Sequence, residues 1–299
     1  MDYKSLYNNK NFTHIDFDKD LKTFTTFGIG GPADVLARPT SIDELEKLLK
    51  FNHENKIKTF IIGKGSNLLV SDKGIRGCVI ILADNFDEVT IEEDYLTALA
   101  GTSLTNASLA AIRAGLAGME EISGIPGSVG GAVAMNAGAY GGEIKDIAVE
   151  IKAFDFEGNL YTYKNDEMNF SYRHSRIFDD DLIVVSAKFK LKKGDKDLIT
   201  EKYLDYKNRR ETKQPLDKKS AGSTFKRPVG SYASKLIDEC GLRGFREGDC
   251  QVSEKHCGFI INRDEATCEE MLEFINHVSS IVKEKTGFVL EREVKLVGE

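Results

Sequence analysis

The 299-residue chain contains no tryptophan, which leaves its near-ultraviolet and visible absorption to tyrosine and any bound chromophore. Cysteine is scarce and poorly spaced for chemistry. Cys78, Cys240, Cys250, Cys257 and Cys268 are odd in number and never form C-x-x-C, so free thiols in a reducing cytoplasm fit better than a disulfide frame or a zinc site. No apolar run approaches the ~18 residues of a membrane span. The opening Met-Asp-Tyr-Lys-Ser lacks the form of a secretory signal, so a cytoplasmic protein without a membrane partner is expected. Positive charge is in deficit. A net charge of −7 argues against general nucleic-acid binding, and any anionic ligand must be met by a local cluster of Lys and Arg. Internal repeats and low-complexity tracts are also missing, and the length suggests roughly two domains at ~150 residues each.

What is present in excess is glycine, concentrated between Gly124 and Ile144, where seven of 21 residues are Gly and almost none is charged. A segment this poor in charge, carrying Ile125, Val129, Val133, Met135 and Tyr140, is not a solvated linker. It reads as backbone that passes close to something bulky, where a Cβ would collide. A large cofactor and a tightly packed turn-and-strand core both satisfy that reading.

Along the chain, residues 1–24 are polar and read as a lead-in helix. Gly28-x-Gly30-x-x-Ala33 superficially matches the dinucleotide fingerprint, but no buried strand precedes it and Pro32 stands where the binding helix should open. Ser41-Ile42-Asp43-Glu44 predicts a capped helix to about Asn55, followed by a buried strand at Thr59–Ile62 and turns at Gly74 and Gly77. Short strands are expected near 78–82, 88–91 and 95–100. A helix should start at Ser103 and stop at Gly115. Antiparallel strands are expected at 147–154, 159–163 and 182–191. The charged run Lys192–Asp197 reads as a hinge. Beyond it come helices at 198–212, 231–240 and 267–286 and strands at 259–262 and 294–297. The expected parts are residues 1–76, 77–194 and 195–299.

Gly63-Lys64-Gly65-Ser66-Asn67-Leu68-Leu69 places glycines and short polar residues directly after a strand, where successive N–H groups can form a concave anion site. A plain strand-to-turn connection is the alternative. It is not a P-loop, since Gly-x-x-x-x-Gly-Lys-Ser/Thr is missing. With Gly124, Ile125, Pro126, Gly127, Ser128, Gly130 and Gly131 it makes a second backbone cradle, and the two together point to an extended dinucleotide. Ser223 beside Gly222 reads as a proton donor or as a capping hydroxyl, without a Gly-x-Ser-x-Gly elbow. Taken alone, Arg173 reads as a surface ion pair and Glu293 as an exposed strand carboxylate. His174 and His256 have no second ligand at a metal spacing, and no metal site is expected.

Taken together, Thr26–Asp34, Gly63–Val70, Gly124–Gly142, Ser171-Tyr172-Arg173, Gly222-Ser223-Thr224-Phe225-Lys226 and Glu293-Val294-Lys295 resemble, in order, the motifs of the MurB flavoenzymes of peptidoglycan precursor synthesis. The resemblance runs from about residue 20 to 297 and implies an α+β protein. Residues 1–76 and 77–194 would be two lobes of a PCMH/vanillyl-alcohol-oxidase-type FAD-binding fold, and 195–299 an α+β substrate domain. It implies reduction of UDP-N-acetylglucosamine enolpyruvate to UDP-N-acetylmuramate, with noncovalent FAD as carrier, NADPH as hydride donor and a monomeric enzyme.

Carried over by motif, Arg173 and Glu293 polarise the substrate carboxylate and stabilise the developing enolate, Glu293 only when it holds a proton or donates through a partner. Ser223 protonates C2. Lys213 and Tyr140 match substrate neighbours. Arg227 stands where other branches carry an amide, and it either meets the UDP diphosphate or caps its loop. About 40 residues separate Arg173 from Lys213, which resembles the shorter branch of the family. A PCMH-type oxidase using O2 and a non-catalytic nucleotide-sugar-binding module are the rival readings.

Overall fold

The computed structural model describes residues 2–8, 10, 12–83 and 85–299. Four strands form one sheet in the order Ile15–Asp20, Pro32–Ala37, Ile75–Ile81, Thr59–Ile62, the last two parallel with Thr59 opposite Cys78. Five strands form a second, wholly antiparallel sheet: Leu160–Lys164, Ala148–Phe154, Ile183–Lys190, Tyr95–Leu99, Val89–Glu92. A third antiparallel sheet runs Lys219–Ser223, Phe259–Asn262, Cys250–Val252, Arg246–Glu247. The late strand Lys295–Val297 pairs in parallel with Leu68–Val70.

The chain divides into two compact units, each assembled from non-contiguous segments. The first comprises residues 1–17, 34–64 and 77–209, and the second 18–33, 65–76 and 210–299. Each has its own apolar core. In the first, the helix Ile42–Glu54 buries Leu45, Leu48 and Leu49, spaced to share one helical face, in the cluster that holds Val35, Ile80 and Phe86. Burial of each such side chain contributes roughly 1.5–3 kcal/mol. The helix begins where Ser41 Oγ accepts the Glu44 N–H at 3.1 Å, while the Glu44 carboxylate turns back to accept the Thr40 and Thr13 N–H groups at 2.8 and 2.9 Å. Ser103 caps the helix Leu104–Arg113 in the same way, and Gly115 follows it at φ +71°.

In the second unit the helix Cys268–Thr286 buries Met271, Phe274, Ile275, Val278 and Val282 along one stripe. Its first turn is capped twice. Thr267 and Glu270 form a capping box, and the Asp72 carboxylate accepts the N–H groups of Cys268 and Glu269 at 2.8 and 3.1 Å.

Several expectations are corrected. Among the described residues, 1–24 do not form one lead-in helix: Tyr3–Tyr7 is a short α-helix, Ile15–Asp20 is a strand at the edge of its sheet, where exposed charge is tolerated, and Leu21–Phe24 is a 3-10 turn. Gly77 lies inside the strand Ile75–Ile81 rather than in a turn. It has φ +97°, and a Cβ there would stand 2.3 Å from the Lys58 carbonyl oxygen. Lys192–Lys193 is not a hinge but a short strand paired with Leu116–Ala117. The glycines that imitate a dinucleotide fingerprint serve packing. A Cβ on Gly28 would lie 2.9 Å from Lys219 Cδ, and one on Gly30 would lie 3.0 Å from the Val70 Cβ. All five cysteines are buried thiols, and burial pushes Cys78, Cys257 and Cys268 up to about 11 and Cys250 to about 12.

Candidate active site

In the first unit the chain leaves the strand Thr59–Ile62 at Gly63 and meets the glycine-rich segment there. A Cβ on Gly63 would lie 2.2 Å from Ser128 Oγ, and one on Gly130 would lie 2.9 Å from the Ala100 Cβ. At these two positions the atoms that exclude a side chain are therefore the protein's own. Ser128 opens the short helix Val129–Ala134, and its hydroxyl accepts the Gly131 N–H at 3.4 Å. Three backbone bonds fix the segment to residues 100–104: Leu104 to Gly127, Val129 to Thr102 and Gly130 to Ala100, at 2.9, 2.8 and 2.8 Å. Gly131 is exposed, and only Ser128 Oγ, at 3.5 Å, stands near its Cβ position.

The contact at Gly63 gives a test. Gly63→Ala should lower stability by roughly 1–3 kcal/mol through overpacking, and Ser128→Ala by about 1 kcal/mol through the lost cap. Because the Ser128 Cβ stands 3.4 Å from the new methyl position, the double variant should unfold at a higher temperature than the two losses summed would give. Additive losses in thermal unfolding would contradict the contact.

Arg173 sits at the tip of a two-residue hairpin. Ser171 and His174 exchange backbone bonds of 3.1 and 3.3 Å around it, and Arg173 has φ +59°, a left-handed conformation that a non-glycine residue adopts at some expense. Its guanidinium carbon stands 4.9 Å from the Tyr172 ring centroid. The hairpin is anchored by Asn136, which is buried and itself left-handed at φ +40°. Asn136 Nδ2 donates to the Ser171 carbonyl at 3.1 Å and to Glu143 Oε2 at 2.9 Å, and its Oδ1 accepts the Lys145 N–H at 3.0 Å. Ser175 Oγ donates to the Ala134 carbonyl at 2.8 Å. The hydrogen bond from Lys145, with that of Asn136 and the positive fields of Lys145 and Arg173, holds the Glu143 carboxyl below its ordinary value. Tyr140, at φ +52°, stacks on Tyr206 with ring centroids 4.8 Å apart.

In the second unit a set of hydrogen bonds, one of them from the Asn67 side chain, joins the segment after Gly65 to two further expected residues. Lys295 N–H donates to the Asn67 carbonyl at 2.9 Å, and Asn67 Nδ2 donates to the Glu293 carbonyl at 3.3 Å. Glu293 N–H in turn donates to the Thr224 carbonyl at 2.9 Å. Ser223 is the exposed residue next to Thr224, at the end of its strand opposite Phe259. A register shift between Ser220 and Ser223, with Gly222 at φ +74° inside it, sets the direction in which the Ser223 hydroxyl leaves the strand. Thr224 is buried and pinned from both sides, its N–H to the Gly258 carbonyl at 2.9 Å and its hydroxyl accepting the Ile260 N–H at 3.1 Å. Arg227 carries its guanidinium carbon 4.1 Å from the Tyr232 ring centroid. Lys213 is exposed at the end of the helix Lys196–Lys213.

Residues 33–163 match the model of the FAD binding domain, and residues 214–297 match that of the UDP-N-acetylenolpyruvoylglucosamine reductase C-terminal domain. The reductase of that name from Clostridioides difficile strain 630 is 47% identical over 297 residues, covering 99% of this chain and 98% of that protein. This chain belongs to the UDP-N-acetylenolpyruvoylglucosamine reductase family. The family member from Caldanaerobacter subterraneus is 47% identical over 282 residues, 94% of this chain and 93% of its own length. The crystal structure of the Thermus caldophilus reductase (MurB) superposes with a TM-score of 0.80 at 36% identity, covering 95% of this chain and 98% of that one. A solved alkyldihydroxyacetonephosphate synthase shares the fold at a TM-score of 0.50 and 17% identity, over 64% of this chain and 41% of its own. The FAD binding domain thus has a fold related to the PCMH/oxidase type, as the family resemblance implies, within an α+β protein.

Four residues around these family positions escape a reading of the sequence: Asn136, Glu143, Tyr206 and Tyr232. Only Asn136 carries a local signal, since Asn is among the few side chains that enter the left-handed region readily. The other three act through partners that no spacing reveals.

Proposed function

We propose that the chain reduces the enolpyruvyl ether of UDP-N-acetylglucosamine to the lactyl ether of UDP-N-acetylmuramate, with noncovalent FAD as carrier and NADPH as reductant. The observation that carries the reading is the set of bonds linking Asn67, Glu293 and Thr224 beside Ser223, because it ties a cofactor-loop residue, a carboxylate and a hydroxyl to one rigid piece of backbone. Residues 1–76 and 77–194 are taken as the two FAD lobes and 195–299 as the substrate part; the FAD binding domain model lies within the first two and the C-terminal domain model within the third.

The chain's residues suit the cofactor. Gly63, Lys64, Gly65, Ser66, Asn67, Leu68 and Leu69 contain no carboxylate, and neither do Gly124, Ile125, Pro126, Gly127, Ser128, Gly130 and Gly131. No negative side chain in either bend opposes a pyrophosphate, and Lys64 is exposed. Neither bend contains the His or Cys that a covalent tether would need. Bound FAD supplies hydride to carbon. Arg173 holds the substrate carboxylate and offsets the charge that grows on it, while Glu293, when protonated, donates to the same group. Ser223 delivers the proton to C2. Tyr140, Lys213 and Arg227 bind the remainder of the sugar nucleotide, with Arg227 on the diphosphate. A monomer in the cytoplasm is the working form. The net charge of −7 supports the absence of a nucleic-acid partner, and among the described residues no helix is long and apolar enough to cross a membrane.

A visible spectrum tests the reading. The purified protein should show a flavin band that NADPH bleaches and that the enolpyruvyl sugar nucleotide, in the absence of oxygen, restores. A colourless protein, or a bleached one that only oxygen restores, would replace the reductase by a binding module or an oxidase.

A further inference from the structure

We infer that Tyr232 is a positioning residue for the sugar nucleotide, acting through Arg227. This rests on the reductase reading and on the assignment of Arg227 to the diphosphate, and it adds a residue that neither includes. The geometry is a stack: the Arg227 guanidinium carbon lies 4.1 Å from the centroid of the Tyr232 ring. A guanidinium has two recognition surfaces, a flat face that suits an aromatic ring and an N–H edge that forks onto two anionic oxygens. Stacking engages the face, so it fixes the plane of the group and the direction of its edge.

Both ends of the stack are held. On the Arg227 side, the preceding Lys226 donates its N–H to the Glu291 carbonyl at 2.8 Å, and its ammonium pairs with the Glu291 carboxylate. On the other side, Tyr232 is the N-cap of the helix Ala233–Glu239, and its carbonyl accepts the N–H groups of Lys235 and Leu236, both at 3.1 Å. Between them the chain reverses at Pro228–Ser231, closed by a 3.3 Å bond from Ser231 N–H to the Pro228 carbonyl, with Gly230 at φ +81°. That turn is what returns the ring to the guanidinium. Tyr232 remains 53% exposed, and Arg227 is exposed too, so the stack is not a packing necessity of the core. Its consequence is orientation: a long, mobile cationic side chain is kept in one plane before an anion arrives.

The test uses the FAD-loaded enzyme and the enolpyruvyl sugar nucleotide, with five variants: Arg227→Ala, Tyr232→Leu, Tyr232→Phe, the Arg227→Ala/Tyr232→Leu pair, and Tyr232→Gln as a second truncation. Arg227→Ala should raise the KM for the sugar nucleotide tenfold or more, as expected for a lost charge-assisted contact. Tyr232→Leu and Tyr232→Gln should each raise it roughly three- to tenfold, in the range of a cation–π contact. Tyr232→Phe should stay within twofold of the parent, because the ring face is kept. The double variant should be no worse than Arg227→Ala alone. A structural role would lower the unfolding temperature and kcat together, whereas a positioning role moves KM.

Parent-like KM in both Tyr232 truncations, with Arg227→Ala impaired, overturns the inference while leaving the diphosphate assignment standing. Fully additive effects in the double variant overturn it too. An unchanged KM in Arg227→Ala removes the diphosphate assignment and the inference together, and failure of the sugar nucleotide to reoxidise the parent removes the reductase reading itself.

Discussion

Ser223→Ala should bind FAD and be bleached by NADPH at the parent rate, yet return its colour on addition of the enolpyruvyl sugar nucleotide ~10²–10⁴ times more slowly, the range of a lost general acid. The split follows from where Ser223 stands. Its neighbour Thr224 carries the structural work, being buried, bonded to Gly258 and Ile260 and accepting the Glu293 N–H. Ser223 itself is exposed at the end of its strand. Deleting its hydroxyl therefore removes chemistry and leaves the scaffold, so the unfolding temperature should stay close to the parent value. Thr224→Ala is the contrasting change: it removes the hydroxyl that accepts the Ile260 N–H and should destabilise by about 1–3 kcal/mol. Stopped-flow absorbance on the two half-reactions, with thermal unfolding alongside, measures both. Equal slowing of bleaching and recolouring in Ser223→Ala would show that the residue supports the site and is not its proton donor.

The second large effect belongs to Arg173. Arg173→Ala should slow the reaction with the sugar nucleotide ~10²–10³-fold, the loss expected when a preorganised donor to developing negative charge is removed. Arg173→Lys keeps the charge but not the planar fork, so it should recover only part of the rate. The backbone offers an independent check. At φ +59° an alanine is strained by roughly 1–2 kcal/mol while glycine is not, so Arg173→Gly should unfold at a higher temperature than Arg173→Ala although both are equally inactive. That order of stabilities, opposite to the usual one, would show that the hairpin holds a disfavoured conformation for the sake of the side chain at its tip. The usual order, alanine above glycine, would remove that argument.

Much of the scaffold is legible in the sequence because its signals are local. Ser41, Ser103 and Thr267 announce three helices by hydroxyl caps, and the apolar spacing of Leu45, Leu48 and Leu49 or of Met271, Phe274, Ile275 and Val278 gives their buried faces. The strand Thr59–Ile62 is found where its apolar run predicts it. Ile15–Asp20 is missed because its charged composition looks like a solvated lead-in, and pairing with Pro32–Ala37 overrides local preference.

The site is less legible. The glycine excess correctly signals close approach, but at Gly63 and Gly130 the neighbours prove to be Ser128 and Ala100, and nothing in a one-dimensional pattern names them. Ser223 and Glu293 are joined through a single backbone bond between residues 224 and 293. Only likeness to a family pairs them, since separation in sequence carries no trace of that bond.

The parallel pairing of Leu68–Val70 with Lys295–Val297 has a consequence for biogenesis. While the nascent chain is still on the ribosome, the early strand emerges more than two hundred residues ahead of its mate and must wait without its sheet partner. On the proposed assignment of Asn67 to the cofactor, loading of FAD is a late event in the life of the polypeptide, and a translation product arrested before residue 293 would lack a finished seat for it however well its earlier segments had already collapsed.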